Sequence, residues 1–180
     1  MTLSEWLAYG LLVASTLTIH ELGHWAEMVR NGIETERFCI GLGKSRRIFG
    51  RIYLGVLPFG ASVTPRQDQW QKATPYQRFR VALAGPIASF CCGGVMLALA
   101  LLDPGHERSL TTIASMHLVL GMVNLVPIPP LDGWVALAEL LSIKQHPLSA
   151  RAVYWAGRVG NGVLYGAGFY FVGKLLSGGV

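Results

Sequence analysis

Four stretches of this 180-residue chain, about 6–29, 79–102, 109–128 and 155–176, are apolar over some twenty residues or more. As helices of about 20 residues they would each cross the ~30 Å hydrocarbon layer of a bilayer. The composition agrees: 52% of residues are hydrophobic and 14% charged, with a mean hydropathy of +0.42. A soluble domain carries roughly a quarter charged residues. The pattern predicts an all-α integral membrane protein of about four transmembrane helices, organised as a single domain over 1–180. No positive charge precedes the first stretch and no small-residue cleavage site follows it, so it reads as a retained helix, not a leader.

The net charge of +5 comes from 15 Lys and Arg against 10 Asp and Glu. Ten of those 15 bases lie between Arg30 and Arg80, which argues for one basic connection and against a nucleic-acid surface. Positive connections stay on the cytoplasmic side. The expectation is that 30–80 and about 137–154 face inward, with both termini and 103–110 outside. Most of the basic connection is then a solvated surface facing lipid headgroups. Cys39, Cys91 and Cys92 form no metal-binding spacing, and neighbouring Cys91 and Cys92 are poor disulfide partners, so they read as packing residues.

The first apolar stretch ends in His20-Glu21-Leu22-Gly23-His24. Histidines four apart stand one above the other on a helix face, about one turn (~6 Å) along the axis, and can share one metal ion. Glu21, beside the first of them, is placed to take a proton from a water at such a site. The bland alternative is two histidines and a glutamate on a helix with no metal. That alternative is weak here, because ionisable groups at the end of a membrane helix are costly unless they have a task.

The longest non-helical stretch is 32–78. Arg37–Leu42, Arg51–Leu57 and Ala61–Thr64 are short β-like runs, the first two separated by Gly-Lys-Ser-Arg-Arg. They predict a small membrane-associated β-hairpin or sheet between the first two helices, with an edge that could hold an extended peptide. In the next helix, Gly85-Pro86 and Gly93-Gly94 read as kink and packing features. The third apolar stretch gives way to Asn124-Leu-Val-Pro127-Ile-Pro129-Pro130-Leu-Asp132-Gly133, where the prolines end regular helix.

A catalytic zinc takes three protein ligands and keeps one position open. Candidates for the third are Glu27, His106, His117, Asp132, Glu139 and His146. Glu27 lies too near His24 on the same helix, and His106 falls in the outward connection. His117 reads as a packed core histidine, and Glu139 and His146 as surface groups beyond the break. Asp132 alone combines the right depth with a chain break to aim it.

In order along the chain, His20-Glu21-x-x-His24, Ala82-Leu-Ala-Gly-Pro86 and Asn124-Leu-x-Pro127-x-Pro129-x-Leu-Asp132-Gly133 resemble the site-2 protease family of intramembrane zinc metalloproteases. The likeness is to its bacterial branch, which includes the regulator-of-sigma-E protease. Arg37-Phe-Cys-Ile-Gly41-Leu-Gly43 and Leu57-Pro58-Phe-Gly60 resemble that branch's hairpin region. The likeness covers about residues 10 to 140, with a looser echo at Arg158-Val-Gly160. It implies one zinc ion per chain held by His20, His24 and Asp132, with Glu21 as general base. It also implies substrate contacts at Asn124, Pro127 and Gly60. The implied function is hydrolysis of peptide bonds in or near transmembrane segments. Substrates would be single-pass membrane proteins, an anti-sigma factor among them, or signal-peptide-like remnants, with a regulatory partner expected. The implied location is the bacterial inner membrane, with the site near the cytoplasmic face.

Two departures accompany the likeness. Many bacterial members carry a PDZ domain between the second and third core helices, where only Asp103 to Arg108 stands here. Ala61-Ser62-Val63 replaces a frequent Gly-Gly-Tyr-Val. Two other classes compete with the protease. An inactive homologue that captures membrane segments would be expected to have lost a ligand or the base. A metal transporter would spread polar positions along several helices, whereas here they gather at one depth.

Overall fold

A computed structural model describes residues 3–160 and 162. The chain is mostly helical, with one β-ribbon inserted after the first helix. In order the elements are α1 (Leu3–Arg30), β1 (Thr35–Phe49), β2 (Ile52–Pro65), α2 (Gln67–Lys72), α3 (Pro75–Leu102), α4 (Glu107–Asn124) and α5 (Asp132–Ile143). Residues 150–160 are also helical. A single 3-10 turn, Pro104–His106, joins α3 to α4, so no domain is inserted there.

Helix α3 packs against α1, α4 and α5 and is the centre of the assembly. It begins at Pro75, earlier than the apolar run suggests, because Thr74 builds a reciprocal cap. The Thr74 side chain accepts from the Gln77 amide at 3.2 Å while the Gln77 side chain accepts from the Thr74 amide at 2.8 Å. Such a cap contributes about 1 kcal/mol, and Pro75 at the first helical position costs no hydrogen bond. Pro86 lies inside α3 without ending it.

Of the four stretches expected to span a membrane, α3 is the one helix among the described residues that is both long and apolar enough. Helix α1 has 28 residues, but His20, Glu21, His24 and Glu27 interrupt its apolar run. The fourth stretch lies mostly outside the described residues. In the α3 window only 28% of residues are buried, and Leu101 and Leu102 are more than 80% exposed.

The ribbon differs from the expected short runs. Gly43-Lys-Ser-Arg-Arg47 is not a loop: β1 runs unbroken through it, and the turn falls at Gly50-Arg51. Arg46 and Arg47 pair with Leu54 and Tyr53, so the ladder absorbs residues whose charge and glycine content suggest a loop. Both strands bend enough that Phe38, Cys39 and Ile40 each have two partners. These are Val63, Ser62 and Ala61 on one side and Ile52, Tyr53 and Leu54 on the other. The crossing needs Gly41, at φ +92° and with Gly55 Cα 3.3 Å from where a Cβ would stand. Met28, Ile33, Ala73 and Val81 form a small core where α1, the ribbon and α3 meet, with Val63 and Trp70 packed on it.

Candidate metal centre

Helix spacing places His20 and His24 on the face of α1 that meets α3, where they are 2% and 7% exposed. Burying two imidazoles demands partners for every ring nitrogen. The His24 Nδ1–H donates to the Val81 carbonyl at 2.7 Å, which fixes the tautomer and leaves Nε2 a free lone pair. His20 Nδ1 lies 3.0 Å from Oγ of fully buried Ser89, a hydrogen bond that turns Nε2 toward the same space.

The third group arrives from 112 residues along the chain. Helix α4 ends at Asn124, the proline-rich segment turns, and α5 begins at Asp132, whose carboxylate is not used to cap its own helix. Asp132 Oδ2 lies 2.9 Å from His20 Nε2 and 3.2 Å from His24 Nε2, and the two Nε2 atoms are 3.3 Å apart. Donors about 2.0–2.1 Å from a tetrahedral ion stand roughly 3.3 Å from one another. Two imidazoles and a carboxylate with this spacing fit zinc in both geometry and chemistry.

Glu21 also belongs to the neighbourhood: its carboxylate and the two imidazoles offer donor atoms within 4.8 Å of one another. The Asp132 distances match a ligand triangle more closely. Glu21 instead turns toward the ribbon, where its Oε2 accepts the Val63 amide proton at 2.9 Å. Glu21, His24, Ser62, Val63, Val81 and Asp132 line one cleft of about 430 Å³. The structure therefore brings together His20, Glu21, His24 and Asp132. Asn124 donates to its own helix at Leu120 (3.0 Å), while Pro127 is exposed and Gly60 sits in the ribbon against Leu42. None of these three lines that cleft.

Three members of the site left little trace in the sequence. Gly85 read as a packing residue, yet a Cβ there would stand 2.7 Å from His20 Nε2 and 2.5 Å from His24 Cε1. Its lack of a side chain makes the room the imidazoles occupy. The Val81 carbonyl and Ser89 are the others; Gly85 and Ser89 recurring one turn apart in an apolar helix was the available signal. Glu139 is not a surface group. Its side chain is 16% exposed and pairs with Arg78 through both oxygens, at 2.7 and 3.0 Å. His117 is the buried histidine expected, with Nε2 3.4 Å from Cys92 Sγ.

Two buried imidazoles and a carboxylate thus form a triangle of the kind that holds a metal ion, beside a second carboxylate. The profile of Peptidase family M50 matches residues 8–105 and 100–166, and the chain belongs to that family. A Mycobacterium tuberculosis protein assigned as a zinc metalloprotease is 31% identical over 156 residues, covering 83% of this chain and 35% of that protein. A zinc metalloprotease of Methanocaldococcus jannaschii is 25% identical over 82% of this chain and 38% of its own length. The regulator of sigma-E protease of Salmonella typhimurium is 32% identical over 47% of this chain and 22% of its own. The chain thus spans between a fifth and two fifths of the length of these relatives. The solved site-2 protease from Methanocaldococcus jannaschii shares the fold, with a TM-score of 0.56 and 23% identity over 93% of this chain and 67% of that one.

Proposed function

We propose that this chain is the catalytic core domain of an intramembrane zinc endopeptidase, with one zinc ion held by His20, His24 and Asp132. The observation that carries the reading is the convergence of those three donors within 3.3 Å of one another, with His24 and Asp132 lining a cleft that also holds Glu21. Zinc bound there would supply Lewis acidity toward a water and a peptide carbonyl. The protein does the rest. The Val63 amide steadies the Glu21 carboxylate at the cleft, where it takes the proton of the attacking water and returns it to the leaving amine. The Val81 carbonyl fixes the tautomer and rotation of His24, and Ser89 fixes the rotation of His20. Residues 61–65 pair with β1 on one side, and the other edge, where the Val63 amide meets Glu21, is suited to hold an extended substrate chain. Asn124 and Pro127, in the segment leading to Asp132, and Gly60, at the start of that edge, are assigned to substrate contact.

The membrane setting is supported by α3, which is long and apolar enough to cross a bilayer and whose apolar surface is largely unburied. The reading has four spans in a bacterial inner membrane, the N-terminus outside and the site near the cytoplasmic face. The substrate is a single-pass membrane protein or signal-peptide-like helix, recruited directly or through a regulatory partner; an anti-sigma factor is one example. In a chain lacking Cys39, Cys91 and Cys92, single cysteines at 44–51 should react with impermeant reagent only from the cytoplasmic side. Labelling from outside would invert the orientation.

The direct test is cleavage of single-pass substrates in liposomes, with zinc content measured alongside. Chelation should stop cleavage and zinc should restore it. A metal-loaded protein that cuts none of a panel of membrane helices would instead be a binding protein. Asp132→Ala should lower zinc retention and cleavage together, by at least about tenfold, because two imidazoles remain for an ion that needs three protein ligands. Full metal content in that variant would assign the third ligand elsewhere.

A further inference from the structure

One side of α3 supports both imidazoles. Val81, Gly85 and Ser89 lie at successive turns, and Arg78 is the next position in the same row, one turn toward the N-terminus. Arg78 reaches α5, where its Nε and Nη2 donate to the two oxygens of Glu139 at 2.7 and 3.0 Å. Its remaining nitrogen donates to the Ala73 carbonyl at 2.6 Å, so the guanidinium is anchored from both sides. Both side chains are mostly buried, at 20% and 16% exposed. A planar bidentate pair in this setting fixes orientation as well as distance.

Glu139 is seven residues after Asp132, two turns and about 10 Å along α5, and therefore on the same face. Helix α5 has 12 residues; its first turn packs at Gly133 against the Leu125 and Val126 carbonyls, and the Arg78 pair holds it to α3 two turns further on. We propose that Arg78 and Glu139 are positioning residues: their pair sets the rotation and depth of α5 on α3, and so delivers the Asp132 carboxylate to the two imidazoles. The proposal rests on the reading of His20, His24 and Asp132 as metal ligands.

The test compares wild type with Glu139→Ala, Glu139→Asp and Arg78→Lys in the intact chain, reading cobalt(II) affinity, the visible spectrum of bound cobalt and the melting temperature. Cobalt absorption reports ligand geometry, which a change in stability alone would not alter. Glu139→Ala should weaken cobalt binding by about 10- to 100-fold, the range for groups that orient metal ligands, and should change the spectrum. Glu139→Asp should recover part of both. Arg78→Lys keeps the charge but loses the two-pronged contact, and should fall between. Glu34→Ala removes the partner of Arg51 and Arg66 on the ribbon and should leave affinity and spectrum unchanged.

Wild-type affinity and spectrum in Glu139→Ala would overturn the proposal while leaving the metal centre standing. Should Glu139→Ala fail to fold, the same result in Arg78→Lys and Glu139→Asp would overturn it equally. A wild-type protein that binds no cobalt would remove the metal-centre reading itself, and the proposal with it.

Discussion

Glu21→Gln is expected to lower cleavage by about 10²- to 10⁴-fold, the usual contribution of a positioned acid–base group, while zinc content stays at the wild-type level. The amide is nearly the same size and keeps an oxygen that can accept the Val63 amide proton. It cannot take a proton from water. His20, His24 and Asp132 are untouched, so the metal triangle stands. Measuring zinc and cleavage on the same preparations separates the two roles open to Glu21, which lies close enough to the imidazoles to be considered a ligand. Loss of zinc along with activity would make it one; loss of activity alone makes it the base.

The second large effect comes from one methyl group. In Gly85→Ala the new Cβ would meet the metal-facing edges of both imidazoles. Neither ring has an easy retreat, because Nδ1 of one is held by the Val81 carbonyl and Nδ1 of the other by Ser89. A displacement of about 1 Å at reacting groups costs roughly 10²-fold, so cleavage should fall at least that far, with zinc retention reduced. Alanine is a better helix former than glycine by about 1 kcal/mol, so α3 itself should not weaken. Metal loss with intact helicity is the expected signature; full activity would mean that Gly85 does not confine the ligands.

The parts of this site visible in the sequence are those in which a side chain announces its own chemistry. His20 and His24 at helix spacing, Glu21 between them, and Asp132 after a run of prolines are legible because their residue types are scarce in apolar chain. The supports were not legible. Val81 acts through its carbonyl, Gly85 through the side chain it lacks, and Glu139 through a partner 61 residues away. The ribbon shows the same limit. Gly43 to Arg47 has a loop's composition, and only its pairing with residues such as Tyr53 and Leu54 keeps it extended. Tertiary context overrides local preference there. Spans were easier to propose than to establish, since α1 spends its polar positions on the site.

The helix that builds the centre contributes no donor to it. His20 and His24 precede α3 and Asp132 follows it, 112 residues after His20. A chain emerging from the ribosome N-terminus first therefore exposes the paired histidines and Glu21 long before Asp132 exists. Until α5 docks the three donors are not assembled, so on the proposed reading that nascent chain could not yet cut its neighbours at the insertion site. On that reading, activation would be tied to the completion of folding.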